Sequence, residues 1–144
     1  MRQFAEHLAQ ARRLAARLEK SLARMAPMLP LTDAALDALD DSADDALDAF
    51  LKRWDQLADL IENRLFRGLA SLEGEDLTDM SKRDIAMLME RWGVLDGAAA
   101  WTARSIPRER RAHDVNQAHA GSTLLLNTLR GVEARVRSRG LADI

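Results

Sequence analysis

Three long apolar stripes, each stepping by three or four residues, constrain this chain more than any other feature. The first lies within residues 2–26 and consists of Phe4, Leu8, Ala11, Ala15, Leu18, Leu22 and Met25. The second lies within residues 43–72 and consists of Leu47, Phe50, Trp54, Leu57, Ile61, Leu65 and Leu69. The third precedes Gly140 and consists of Leu125, Leu129, Val132 and Val136. Because this step matches the 3.6-residue turn of an α-helix, each stripe predicts an amphipathic helix.

Capping and breaking residues predict where two of these helices begin and end. Pro27 and Pro30 end the first helix, because proline removes a helical hydrogen bond. Ser42, with Asp45 three residues later, resembles a capping box at the start of the second helix. Gly74 closes that helix, since glycine adopts the left-handed conformation that often ends helices.

Two shorter helices are predicted before the third stripe. Ser81 begins the first of them, and Gly93 stands where its left-handed cap belongs. Asp96 can begin the next. Pro107 then interrupts the helical hydrogen bonding, so residues 108–116 form either a kinked continuation or a new helical turn.

The composition favours helices over a sheet. Aromatic residues make up 4% of the 144 residues and tyrosine is absent, whereas alanine, leucine, arginine and aspartate dominate. Ala, Leu and Arg favour helices, while β-strands prefer aromatic and β-branched residues. We therefore predict one all-α domain over residues 1–144, an antiparallel four- to five-helix bundle, and exclude an all-β fold. The stripes on three helices exceed what a small bundle must cover, which predicts a homodimer.

Several classes of protein are disfavoured by what the sequence contains. No apolar run approaches the roughly 20 residues of a membrane helix, and the first 25 residues are charged throughout, so we expect a cytoplasmic protein without membrane contact. Cysteine is absent, and the three histidines form no HExxH motif. A glycine-rich nucleotide loop is missing as well. We expect no metal and no cofactor.

Two charged segments have an ordinary interpretation. Seven acidic residues without an intervening base lack EF-hand spacing and are interpreted as solvated helix starts: Asp33, Asp37, Asp40, Asp41, Asp44, Asp45 and Asp48. The face of the first helix opposite its stripe is basic, with Glu19 as the single acid among Arg12, Arg13, Arg17, Lys20 and Arg24. Such a face is usually only solvated, and contact with nucleic acid or an acidic partner is the open alternative.

The segment RERRAH at residues 108–113 is the one constellation that predicts chemistry. Arg108 precedes His113 by five residues, just after the expected interruption at Pro107. Imidazole can take or give a proton at neutral pH, and guanidinium provides a permanently charged fork for phosphoryl oxygens. Together they suffice for metal-free RNA cleavage. The spacing alone is weak evidence, because Arg2 and His7 have it too.

The surrounding sequence resembles the HepT-like, nucleotidyltransferase-substrate-binding branch of the HEPN superfamily over about residues 43–137. The resemblance rests on a long helix with Phe50, Arg53 and Trp54, a short helix from Ser81 to Trp92, Gly93, a helix with Trp101, and then RERRAHDV. The family hallmark is an arginine, a polar residue, three variable residues and a histidine, matched here by Arg108, Glu109 and His113. A tyrosine commonly follows after one residue, where this chain has Val115.

The resemblance implies a helical bundle that dimerises and brings two Arg/His motifs into one cleft. It also implies two different functions. Some members are metal-independent endoribonuclease toxins silenced by a small nucleotidyltransferase antitoxin. Others are non-catalytic substrate-binding partners of such nucleotidyltransferases. In the toxin branch the antitoxin can adenylylate the tyrosine, a route that this chain lacks because it contains no tyrosine.

The expected site therefore combines two catalytic residues, Arg108 and His113, with neighbours that would bind RNA or a partner: Glu109, Arg104, Arg110 and Arg111. Eight arginines stand against three acidic residues between positions 104 and 139, which mildly supports a nucleic-acid surface. Solvated helix faces would give the same count.

Overall fold

The computed structural model describes residues 2–105 and 110–141. These residues contain helices and no strand, which confirms the all-α class. The elements are α1 (Arg2–Met25), a 3-10 turn (Ala26–Met28), α2 (Asp33–Asp37), α3 (Asp41–Leu60), a π segment (Ile61–Phe66), α4 (Arg67–Leu72), α5 (Lys82–Arg91), α6 (Ala98–Ala103) and α7 (Arg111–Arg139). Within the described ranges, no helix combines the length and the apolar character needed to cross a membrane.

Most predicted helix ends are confirmed, and two predicted starts are corrected. The start at Asp96 is one of them, because α6 begins at Ala98 and its capping residue is Gly97. Gly74, Gly93 and Gly140 all have positive φ, as expected of left-handed caps. Ser81 forms the predicted capping box with Asp84 at the start of α5. The cap of α3 was placed wrongly at Ser42. The Asp40 carboxylate fills this role instead, accepting a hydrogen bond from the backbone N–H of residue 43 at 2.8 Å.

The long helices do not all run in alternating directions. Arg24, near the end of α1, donates a hydrogen bond to Ser42 in the first turn of α3, so these two helices are antiparallel. In contrast, α7 is parallel to the continuous helix formed by α3, the π segment and α4. Its first residue contacts Asp44 near the start of α3, and Arg135 near its end contacts Glu73 just after α4. The expected antiparallel bundle is therefore met only in part, because α5 and α6 carry the chain back before α7 begins.

The apolar stripes meet in one buried cluster. Among the largest buried side chains are Trp101, Phe50 and Phe66, and the ring centroids of Phe66 and Trp101 lie 5.0 Å apart. Met87 is the one large hydrophobic residue that is exposed in the described part of the chain. A single copy of the chain therefore covers the three stripes, so the area of the stripes no longer argues for a homodimer. The homodimer itself stays a prediction.

A glycine sets how closely α7 approaches the turn after α5. A Cβ atom on Gly131 would lie 2.2 Å from the backbone carbonyl oxygen of Val94, a distance that neither backbone can accommodate without moving. Glycine at this position allows the two backbones to touch. The contact fixes the middle of α7 against the core.

Candidate functional site at the start of α7

The helix that carries His113 begins in a defined way at Arg110. This residue has an extended backbone, and its side chain makes no capping hydrogen bond. Asp114 supplies the missing interaction, since its carboxylate accepts a hydrogen bond from the backbone N–H of Arg110 at 3.2 Å. Asp114 is only 3% exposed. The buried carboxylate therefore closes the first turn of α7 from the inside and complements the positive end of the helix.

Arg111 ties this first turn to α3. Its guanidinium forms an ion pair with Asp44, a second with Asp48 at 2.8 Å, and a hydrogen bond to the backbone carbonyl of Asp44 at 3.0 Å. The hydrogen bond to Asp44 raises the pKa of Arg111, with burial opposing and the charges of both carboxylates adding to the rise. Arg111 was expected to bind RNA or a partner, and in this arrangement it anchors α7.

The same contacts explain part of the acidic segment. Carboxylate oxygens of Asp44, Asp45 and Asp48 lie within 4.8 Å of one another, close enough to share a cation. The guanidinium of Arg111 already contacts two of the three. Asp44 lies in the first turn of α3, as the sequence predicted, and both Asp44 and Asp48 also serve as ion-pair partners of Arg111 while remaining partly exposed.

His113 lies between these anchors but faces solvent. Its neighbours Ala112 and Val115 are buried, at 4% and 0% exposure, whereas His113 itself is exposed. No described residue forms a hydrogen bond with its imidazole. An exposed imidazole on a fixed turn is available for proton transfer to or from a ligand.

Two of the expected site residues, Arg108 and Glu109, lie outside the described residues. The structure thus places His113, Arg110 and Arg111 on one helical turn and leaves the pairing of Arg108 with His113 a prediction. Arg110 is exposed beside His113, and no described residue pairs with its guanidinium.

Arg104 is held elsewhere, at the end of α6. Its side chain is 10% exposed and forms an ion pair with Glu62 of the π segment at 3.2 Å. The guanidinium carbon lies 4.1 Å from the centroid of the Trp101 ring, a cation–π contact, and one nitrogen donates to the Trp101 carbonyl at 2.9 Å. Little of this side chain faces solvent, so Arg104 fixes the end of α6 to the π segment.

Glu62 is the acceptor around which this contact is organised. It accepts a hydrogen bond from the Trp101 indole at 2.9 Å and lies 3.6 Å from the Lys82 ammonium. Burial raises the pKa of Glu62, but the hydrogen bonds from Trp101 and Arg104 and the charges of Arg104 and Lys82 outweigh it, so the pKa falls below its ordinary value.

Sequence reasoning missed the partners of these arginines. Glu62 precedes Arg104 by 42 positions and Asp44 precedes Arg111 by 67, so no local pattern connects them. The role of Asp114 could have been predicted from the sequence, since a carboxylate four residues after a helix start can accept a hydrogen bond from the first backbone N–H. The valine at the family's tyrosine position, Val115, lies fully in the core.

Comparison with protein-family models, with curated proteins and with solved structures found no match to this chain.

Proposed function

We propose that this chain is a metal-independent endoribonuclease of the HEPN type, the toxin of a toxin–antitoxin pair, with Arg108 and His113 as its catalytic residues. One observation supports this proposal most. The imidazole of His113 is exposed and bound to no described residue, while the turn that carries it is fixed by Arg111 and Asp114. A rigid turn with an available proton acceptor is what general base catalysis requires.

The proposed reaction is an internal transfer at phosphorus. His113 accepts the proton of a ribose 2′-hydroxyl as its oxygen attacks the adjacent phosphorus. The bond from phosphorus to the 5′-oxygen breaks, and that oxygen leaves with a proton from a general acid or from water. The guanidinium of Arg108 stabilises the negative charge that grows on the phosphoryl oxygens. The products are a 2′,3′-cyclic phosphate and a 5′-hydroxyl.

The remaining parts of the proposal follow from the family resemblance. A second copy would bring a second Arg/His motif into the cleft, and a small nucleotidyltransferase would act as antitoxin in the cytoplasm. That antitoxin would act by binding or by modifying another residue, because the chain has no tyrosine. The alternative is a non-catalytic substrate-binding partner of a minimal nucleotidyltransferase.

A cleavage assay on structured and unstructured RNA tests the enzyme directly. Wild-type protein should cleave RNA in EDTA and leave 2′,3′-cyclic phosphate ends. Replacement of His113 by alanine should lower the rate by about 10²- to 10⁴-fold, the usual contribution of an acid–base group.

His119 provides the matched control, because it is an exposed histidine on the same helix six residues further on. His119→Ala should retain wild-type activity. Full activity in His113→Ala would contradict the proposed mechanism, as would a requirement for magnesium or equal cleavage of DNA. A wild-type protein that cuts no RNA but binds a nucleotidyltransferase would support the alternative.

A further inference from the structure

A second arginine-rich surface runs along the seam between α1 and the continuous helix formed by α3, the π segment and α4. Three adjoining cavities of about 380, 590 and 610 Å³ follow one another along this seam. We call them together the seam groove. Seven basic side chains line it, Arg13, Arg17, Lys20, Arg24, Arg53, Arg64 and Arg67, with His7 at one end. Two acidic residues line it as well, Asp45 and Asp59.

The groove concentrates positive charge in an acidic chain. Seven bases against two acids leave an excess of five positive charges, although the whole chain has a net charge of −2. None of the seven forms an ion pair with a described residue. Arg53 and Arg24 donate hydrogen bonds to Ser21 and Ser42, at 2.7 and 3.4 Å, and both acceptors are neutral.

The arrangement works against the stability of the free protein. Arg13 and Arg17 are four residues apart on α1, as are Lys20 and Arg24, and Arg64 and Arg67 are three apart on the opposite wall. Like charges at these spacings destabilise a helix by about 0.2 to 0.5 kcal/mol per pair. A ligand that brings negative charge along the whole seam would offset this repulsion.

The π segment carries polar residues on two different sides. Glu62 points towards α6, where it binds Trp101 and Arg104, while the next two residues, Asn63 and Arg64, line the groove. Wide π turns within helices are frequent at functional sites. Within this segment, neighbouring residues serve the contact with α6 on one side and the groove on the other.

We infer that the seam groove binds the phosphodiester backbone of single-stranded nucleic acid. Six of the seven bases are arginines, whose planar forks match phosphate oxygens. The lined part of α1 runs from Gln3 to Met25, about 35 Å at 1.5 Å per residue, which accommodates several nucleotides. The axes of packed helices lie about 8 to 10 Å apart, so the groove on their surface is narrow enough to follow one strand and too narrow to enclose a duplex.

Charge dominates the groove, and no Phe, Trp or Tyr among its described lining residues is exposed for stacking on a base. Phe4, the one aromatic residue in its lining, is only 4% exposed and cannot stack on a base. Binding should therefore be insensitive to sequence, similar for RNA and DNA, and strongly weakened by salt. A membrane surface is disfavoured, because the groove is concave and has no exposed large apolar side chain to insert among the described residues.

The test measures binding and does not depend on the proposed catalysis. The probe is a fluorescein-labelled 12-nucleotide DNA strand, together with its fully 2′-O-methylated RNA counterpart, since neither can be cleaved through a 2′-hydroxyl. Fluorescence anisotropy at low salt should show binding of both strands to the full-length wild-type protein. The affinity of the Arg17→Glu/Arg64→Glu variant should fall at least about 10-fold, and its salt dependence should weaken by about 0.7 per removed phosphate contact.

A matched control carries the same change of charge on another face. Arg83 and Arg91 are exposed on α5, away from the groove, so Arg83→Glu/Arg91→Glu should alter affinity by less than about 2-fold. Circular dichroism melts verify that both variants fold. Arg17→Gln/Arg64→Gln, which removes charge without adding any, should lose affinity by a smaller factor.

Four outcomes would overturn the inference. These are no binding of either strand by the wild type, equal loss in the groove and control variants, binding to duplex in preference to single strands, and binding only to phosphatidylserine vesicles. The binding assay and the cleavage assay test the two proposals independently. Binding without cleavage would contradict the proposed function and leave the groove intact, whereas cleavage with unchanged affinity in the groove variant would do the reverse.

Discussion

The arginines around α7 and the arginines along the seam groove differ in whether they have acidic partners. Around α7 four of them have acidic partners, and two of these lie near its start: Arg111 binds Asp44 and Asp48, and Arg104 binds Glu62. At the far end of the helix, Glu73 accepts ion pairs from both Arg135 and Arg139, at 2.6 and 3.0 Å. Along the seam, no arginine has a described acidic partner. Charge near α7 stabilises the fold, and charge in the seam is available to a ligand.

This difference changes what a charge count means. Residues 104–139 look strongly basic in the sequence, yet four of their seven described arginines form ion pairs with acids that lie between residues 44 and 73 of the chain: Arg104, Arg111, Arg135 and Arg139. The face of α1, which we interpreted first as ordinary solvated surface, meets more arginines from the helix beside it. A surplus of charge therefore indicates a ligand only after distant partners have been taken into account.

The largest expected effect comes from removing a paired arginine. Arg104→Ala should lower the free energy of unfolding by about 2 to 3 kcal/mol, because Glu62 loses its closest charged partner in a site that is mostly shielded from water. Urea denaturation measures the change. Arg64→Ala, two residues from Glu62 but facing the groove, should stay within about 0.5 kcal/mol of the wild type. Equal losses in the two variants would abolish the distinction between paired and unpaired arginines.

Much of the fold could be predicted from local pattern. The apolar stripes located the long helices, and glycines and the Ser81 cap located their ends, because both signals lie within a few residues of what they determine. The parallel course of α7 could not be predicted, since it depends on how two short helices return the chain. The π segment was also missed. An apolar step of four through Ile61 and Leu65 is compatible with both an α-helix and a π-helix.

Less of the candidate site could be predicted. The RERRAH motif singled out His113 as a candidate residue, and the structure shows that His113 is exposed. The anchoring roles of Arg104 and Arg111 depend on Glu62 and Asp44, which lie far away in the chain. The pairing of Arg108 with His113 and the homodimer stay predictions.

A moderate loss of folding stability is expected at acidic pH. The hydrogen bond from Arg135 lowers the pKa of Glu73, with burial opposing and the charges of Arg135 and Arg139 adding to the decrease, and Glu62 also has a lowered pKa. Groups with a lowered pKa bind fewer protons in the folded chain than in the unfolded chain. Their stabilisation is complete above the ordinary value of 4.5 and is lost as the pH falls below it through the folded pKa.

Urea unfolding between pH 6 and pH 3 measures this loss. Glu73→Gln should be less stable than the wild type at pH 6 and should lose less stability on acidification. Asp59→Asn in the groove provides the control, because no described residue forms an ion pair with Asp59, and it should follow the wild-type curve. A Glu73→Gln curve parallel to that of the wild type would show that the paired arginines contribute nothing to acid sensitivity.

The smallest expected effect on stability comes from removing a charge in the groove, and it has the opposite sign to the losses predicted for Arg104 and Glu73. Arg17→Gln removes a charge that has no described partner and relieves its repulsion with Arg13 one turn away, so stability should be unchanged or rise by about 0.2 to 0.5 kcal/mol. The gain should be present at low ionic strength and disappear at about 1 M salt, where the Debye length is only about 3 Å. Thermal melts at the two salt concentrations measure it, with the exposed Arg91→Gln as a control outside the groove. A loss above about 1 kcal/mol would mean that Arg17 stabilises the fold as Arg104 does, and would contradict its assignment as a charge available to a nucleic acid.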